Sequence, residues 1–273
     1  MSRIQACLQN LKQQNKKALI PFITAGDPQQ DSTVPLLHEL VANGADIIEL
    51  GIPFSDPMAD GPVIQLADER ALANGISTRH VLDMVTVFRQ ENQTTPIVLM
   101  GYLNPIEVYG YDAFANDAAA AGVDGIIIVD MPPEAAQKPV ALLDQAGIDC
   151  IFLIAPTTSE QRIEKIASFG RGYLYYVSLK GVTGSGNLDV EAVNQRLETI
   201  RKITDLPVAV GFGIKDAQTA RQLGKNADGV VVGSALVNVI AQNQNNTGEM
   251  IRQAGEFIQS LRQGLDNEFN LPA

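Results

Sequence analysis

Ala121-Gly122-Val123-Asp124-Gly125-Ile126-Ile127-Ile128-Val129 is the stretch on which the fold turns. The run Tyr111–Ala121 leads into it with helical spacing, glycine interrupts it, and an unbroken apolar segment follows. Glycine just past a helix supplies a left-handed cap, and a short apolar run rich in β-branched residues reads as a strand buried on both faces. The same punctuation returns at Asn43–Asp46, Ala146–Asp149 and Asn226–Gly229, each time at the predicted end of a helix. The theme repeats to give eight strands: Ala18–Thr24, Ile47–Leu50, Ile97–Met100, Gly125–Val129, Cys150–Ile154, Tyr173–Val177, Val208–Gly211 and Gly229–Val232. Amphipathic stretches alternate with them, at Gln29–Asn43, Val81–Asn92, Tyr111–Ala121, Glu134–Ala146, Ser159–Phe169, Val190–Ile203, Asp216–Leu223 and Glu249–Arg262.

Eight βα units with short connections fit a single α/β domain over residues 1–273, a (β/α)8 TIM barrel, better than a doubly wound sheet. Ile4–Leu11 is expected to be an extra N-terminal helix that plugs the end of the barrel opposite the catalytic face. Two connections are extended. The one after strand two, from Gly51 to about Thr78, carries Pro53, Asp56, Pro57, Asp60, Gly61 and Pro62. The one after strand six, Ser178 to Asp189, contains Gly181, Gly184 and Gly186 and reads as a lid. In such barrels these loops lie on the C-terminal face, where catalytic residues gather.

Composition narrows the function. Lys and Arg number 20 against 31 Asp and Glu, a net charge of −11, which argues against nucleic acid and anionic membranes as partners. No run is apolar for long enough to span a bilayer, and the first twenty residues do not pattern as a secretion signal. Cys7 and Cys150 are the only cysteines, far apart and without zinc spacing, so they read as reduced thiols in a cytoplasmic chain, with Cys150 a core residue rather than a nucleophile. His38 and His80 fall in outer helices as packing or surface residues. Carboxylates are what remain for acid–base work. Glu49 closes an apolar strand; pointing inward, it enters a low-dielectric mouth that raises its pKa and lets it give and take a proton near neutrality. Asp60 follows in a loop able to fold across that mouth, and Asp56 is a weaker candidate. A capped strand end for Glu49 and a turn or N-cap for Asp60 are the alternatives. Gly211-Phe212-Gly213-Ile214 after strand seven and Gly233-Ser234-Ala235 at the start of a short helix, Ala235–Ala241, fit a phosphate held by backbone N–H groups, with Gly184 adding donors. Without a Walker or dinucleotide motif, the anion reads as a small phosphorylated metabolite.

Several phrases together carry a family resemblance: Pro21-Phe22-Ile23-Thr24-Ala25-Gly26-Asp27-Pro28, the segment Glu49–Gln65, Gly101-Tyr102-Leu103-Asn104-Pro105, Asp130-Met131-Pro132-Pro133-Glu134 and Gly181-Val182-Thr183-Gly184, with the two glycine turns already quoted. Over nearly its whole length the chain resembles the tryptophan synthase α subunits. The resemblance implies retro-aldol cleavage of indole-3-glycerol phosphate to indole and glyceraldehyde 3-phosphate in tryptophan biosynthesis. It implies catalysis by Glu49 and Asp60, an apolar slot for indole drawn from Phe22, Met100, Tyr102, Ile127, Val129, Leu153, Tyr175 and Phe212, and phosphate contacts at Gly184, Gly213, Gly233 and Ser234, with Thr183 holding the lid. It further implies a β subunit carrying pyridoxal phosphate in an α2β2 heterotetramer, met through Pro53, Asp56, Asn104 and Pro132, with no cofactor and no metal in this chain. Where some relatives have arginine after Ser178, this chain has Leu179 and Lys180, so the resemblance does not imply how the lid is latched. Two other readings compete: a different phosphosugar barrel, such as phosphoribosylanthranilate isomerase or indoleglycerol-phosphate synthase, against which Glu49–Gln65 speaks, and a catalytically idle regulatory barrel, against which Glu49 and Asp60 speak.

Overall fold

The computed structural model describes residues 1–177, 190–211 and 213–266. Among these, eight parallel strands close into a barrel in sequence order, with β1 pairing β8. They are β1 (Ala18–Thr24), β2 (Ile48–Gly51), β3 (Ile97–Gly101), β4 (Gly125–Ile128), β5 (Asp149–Ile154), β6 (Leu174–Val177), β7 (Val208–Gly211) and β8 (Gly229–Val232). The sequence reading of these strands differs by a residue at some ends.

The apolar runs divide by alternation, as strand geometry requires. Leu19, Ile48, Leu50, Ile97, Leu99 and Cys150 join the large layer between the strands and the surrounding helices. Ala18, Ile20, Ile47, Val98, Ile127, Ile151, Tyr173, Tyr175, Ala209 and Val231 fill the barrel. The first helix, Arg3–Gln13, contributes Ile4, Leu8 and Leu11 to that interior cluster, so it plugs the barrel from the N-terminal end as expected. A side chain at Gly125 would lie 2.9 Å from the Ile4 methyl, which shows how closely the plug is seated.

The repeated glycine phrases act as caps in three of the four places, at Gly44, Gly122 and Gly147, all with positive φ. The fourth departs: in Asn226–Gly229 the glycine comes after the aspartate and lies inside β8, in close contact with Ala18, so it does not cap a helix. The aspartates of the phrases have a further function. Asp46 accepts the Leu19 N–H at 2.8 Å, Asp124 that of Ile97 at 2.8 Å and Asp228 that of Val208 at 2.9 Å, so each ties down a strand at the barrel's N-terminal rim.

The long connection after β2 resolves into a loop to Gly61, a helix Pro62–Ala73 and the helix Thr78–Glu91. A short helix, Leu103–Tyr109, follows β3 and was not anticipated, because seven residues interrupted by Pro105 hold too few turns for periodicity to register. The other extended connection, 178–189, lies outside the described residues. No described helix is long and apolar enough to cross a membrane.

Candidate active site

Alternation decides where Glu49 points. Its neighbours Ile48 and Leu50 face the helical layer and Ile47 faces the barrel interior, so Glu49 faces inward too. It is fully buried. Tyr173 donates its hydroxyl to Glu49 Oε1 at 2.6 Å, while Oε2 is buried with no hydrogen-bond partner among the described residues. Burial pushes the carboxyl up to about 8, and the Tyr173 hydrogen bond only partly offsets this. A carboxyl group of that kind exchanges a proton readily near neutrality. Nothing in the sequence marks Tyr173 as its partner, although Tyr173 and Tyr175 lie two apart and therefore on one face of the chain entering and forming β6.

Asp60 lies in the loop before the helix Pro62–Ala73. The residue capping that helix is Gly61, and no side chain caps it, so the N-cap alternative for Asp60 does not hold. Its Oδ2 accepts the Tyr102 hydroxyl at 2.7 Å, and the Tyr102 oxygen in turn accepts the Ala59 N–H at 3.0 Å. Gln65 donates to the Asp60 carbonyl at 2.8 Å, fixing the backbone as well. Burial raises the Asp60 pKa and the Tyr102 hydrogen bond opposes the rise. The Tyr102 ring stacks on Phe54 with centroids 5.3 Å apart. Tyr102 was expected only as an apolar wall, and its hydroxyl has this additional part.

A cavity of about 310 Å³ opens at the C-terminal end of the barrel and brings the two constellations together. Glu49, Asp60, Phe22, Ile64, Met100 and Tyr175 line one part, and Gly213, Ile214, Lys215, Gly233, Ser234, Ala235 and Asn238 line another. Strand register explains the first group: Phe22 sits beside Glu49 and Gly51 beside Met100. The second group combines a turn with positive φ at Gly213 and the N-terminus of the helix Ser234–Gln242. The first amides of a helix lack partners within it and carry partial positive charge, which suits an anion. One end of the cavity thus offers proton-exchanging carboxyls and an apolar wall, and the other a backbone cradle.

The remaining expected residues fall as follows. Ile127 is buried in the barrel interior and does not line this cavity; Val129 lines a narrow adjoining cleft, and Leu153 packs against the interior cluster. Asp56, Asn104 and Pro132 are exposed, whereas Pro53 is buried in the chain itself. Thr183, Gly184, Leu179, Lys180 and Phe212 lie outside the described residues. His38 packs its ring 4.7 Å from that of Phe88, and His80 caps its own helix through Ser77, so the first is a packing residue and the second a surface residue, within the reading from the sequence. Cys150 is fully buried, and burial pushes its thiol up to about 12. Sequence reasoning missed Asp68, which is 4% exposed and accepts the Thr24 hydroxyl at 3.3 Å. Burial and the nearby Asp60 charge push it up to about 7.

A sequence profile described as Tryptophan synthase alpha chain matches residues 8–266. The tryptophan synthase alpha chain of Methylococcus capsulatus is 55% identical over 266 residues, covering 97% of this chain and all of that one. That of Cupriavidus pinatubonensis is 57% identical over the same length and shares. Among solved structures, the tryptophan synthase subunit alpha of Legionella pneumophila superposes with a TM-score of 0.91 at 47% identity, covering 98% of this chain and 99% of that one. A chain of the Mycobacterium tuberculosis tryptophan synthase reaches 0.86 at 33% identity, with coverage of 97% and 100%. With the barrel, the paired carboxyls and the backbone cradle in one cavity, the chain belongs to the tryptophan synthase alpha chain family and carries out its reaction, the retro-aldol cleavage of indole-3-glycerol phosphate in tryptophan biosynthesis.

Proposed function

We propose that Glu49 and Asp60 perform the acid–base chemistry of this cleavage. The observation that carries the reading is the shared cavity: a buried carboxyl, one oxygen of which has no partner among the described residues, and a second, tyrosine-bound carboxyl open onto the same space as Gly213 and Ser234. Protonation of the ring carbon that bears the side chain loads positive charge onto the ring N–H. Removal of the side-chain hydroxyl proton then lets that oxygen form the aldehyde carbonyl, and the electron pair of the broken carbon–carbon bond returns to the ring, releasing neutral indole. Glu49 gives the first proton and takes the second, ending as it began. Asp60, ionised, accepts the ring N–H hydrogen bond and stabilises the charge developing there. Phe22, Met100, Tyr102, Tyr175 and Phe212 form the indole slot, and Ile127, packed beneath the cavity, takes no part in it. Gly184, Gly213, Gly233 and Ser234 bind the phosphate, and Thr183 holds the lid.

The reading extends to the assembly. The chain works in the cytoplasm with a tryptophan synthase β subunit, in an α2β2 heterotetramer, and pyridoxal phosphate belongs to that partner. The C-terminal face supports the docking side: Asp56, Asn104 and Pro132 are exposed there, with Pro53 shaping the loop from within. The experiment is indole release from indole-3-glycerol phosphate by purified Asp60→Asn. Loss of most turnover with substrate affinity kept supports the assignment; an unchanged rate returns Asp60 to the role of a turn residue.

A further inference from the structure

The helix Pro62–Ala73 buries Ile64, Ala67, Asp68 and Ala71. Three are apolar, as an inward helical stripe should be, and the fourth is a carboxylic acid one turn below Ile64 on the same face. A carboxyl placed there costs desolvation free energy that an aliphatic residue would not. Its surroundings account for its presence. Asp68 accepts the Thr24 hydroxyl from the end of β1, and the nearby backbone N–H of Phe54 in the loop after β2 favours its ionised form. Phe54 stacks on Tyr102, and Tyr102 donates to Asp60. A continuous chain of contacts therefore runs from Asp68 through the loop to the Asp60 carboxylate. Asp60 and Asp68 also line one narrow cleft, together with Phe22, Ile64, Met100 and Tyr102. The other acid on that side, Asp27, accepts from Nε and Nη2 of Arg70 at 2.6 and 2.9 Å.

We propose that Asp68 is a positioning residue for the cleavage, anchoring the loop of residues 52–61 so that Asp60 faces the substrate; this rests on the assignment of Asp60 above. Asp68 does not touch the substrate. It acts through Phe54, whose N–H it attracts, and through the tyrosine that Phe54 supports. The test is steady-state indole formation by the full chain. In Asp68→Ala, kcat should fall about tenfold while KM stays within about threefold, since a small misplacement of a charged group costs rate more than binding. Asp68→Asn keeps an oxygen for the Phe54 N–H and should recover most of the rate. Asp68→Leu fills the space without an acceptor and should match Asp68→Ala, so a folding failure of the alanine variant leaves the test intact. In an Asp60→Asn background the further loss from Asp68→Leu should vanish. Wild-type kcat in Asp68→Leu, equal impairment in Asp68→Asn and Asp68→Leu, or an undiminished loss in the Asp60→Asn background each overturn the proposal. A wild-type rate in Asp60→Asn removes the role of Asp60 and this inference with it. An impaired Asp60→Asn beside an unimpaired Asp68→Leu removes the inference alone.

Discussion

Glu49 and Asp60 share a cavity and differ in their surroundings, and the difference sorts their work. Glu49 is sealed against the barrel interior with one hydrogen bond, so its proton is held up to about 8. Asp60 lies in a half-open loop with Tyr102 favouring its ionised form. Glu49→Gln keeps the shape and loses the proton exchange, so turnover should drop about 10²- to 10⁴-fold in purified enzyme. The same substitution has a signature in stability. The folded midpoint of Glu49 lies above the ordinary glutamate value of 4.5, so folding binds this proton more tightly than the unfolded chain does. That contribution is complete below 4.5 and is lost as pH rises through about 8. The melting temperature of Glu49→Gln should therefore gain on wild type across that window and level off beyond it, as thermal scans at several pH values would show. Tyr102→Phe removes the donor that favours ionised Asp60, so the Asp60 midpoint should rise and the acid limb of the kcat/KM profile should move to higher pH. Glu49 and Asp60 were legible because a carboxylate at the end of an apolar strand and another in an overlong loop break a pattern. Tyr173 and Asp68 were not: a tyrosine in an apolar run reads as core, and an acid between Ala67 and Glu69 reads as surface until the helix is placed on the barrel.

At the scale of elements, the glycine turns hold the cavity open. A side chain on Gly211 would lie 2.0 Å from the Tyr175 hydroxyl, so any residue there must displace a ring that lines the cavity. Gly213 has φ near +81°, a conformation that costs another residue about 1–2 kcal/mol. Gly213→Val should accordingly weaken glyceraldehyde 3-phosphate binding as well as stability, and calorimetric titration would read both the affinity and any residual site. The N-terminal helix separates the two effects. Ile4→Ala empties part of the plug at the far end and should cost about 2–5 kcal/mol in denaturant unfolding with KM unchanged. The eight strands and most helices could be read from the chain because parallel strands are apolar on both faces and their helices keep one apolar stripe. The exceptions have local causes: Leu103–Tyr109 is too short for periodicity, and at Gly229 the repeated phrase reverses glycine and aspartate, which turns a cap into a strand start.

Across the whole molecule, the fold separates stability from chemistry along the barrel axis. The N-terminal rim carries the strand-tying Asp46, Asp124 and Asp228 and the apolar plug; the C-terminal rim carries Glu49, Asp60 and the cradle. The same catalytic face exposes Asp56 and, in the neighbouring elements, Met58 at 83% and Val108 at 81%. A β subunit docking on this face would favour the closed arrangement of the Asp60 loop by population shift. Single-turnover cleavage should therefore be faster in the mixture than in the isolated chain, and Asp56→Ala should reduce that acceleration more than the basal rate. Equal, fast rates in both would make the chain a free-standing lyase. The plugged floor carries one more consequence, for the history of a hydrogen atom. Behind Glu49 the barrel is filled by Val98, Ile127, Ile151 and Tyr173 down to Ile4, so with substrate seated in the mouth bulk water has no path to this carboxyl from below. Isotope in the solvent then reaches Glu49 only through the mouth, which the seated substrate covers. Enzyme loaded with substrate in light water and diluted into heavy water should release first-turnover indole bearing protium at the ring carbon, and only later turnovers should carry deuterium.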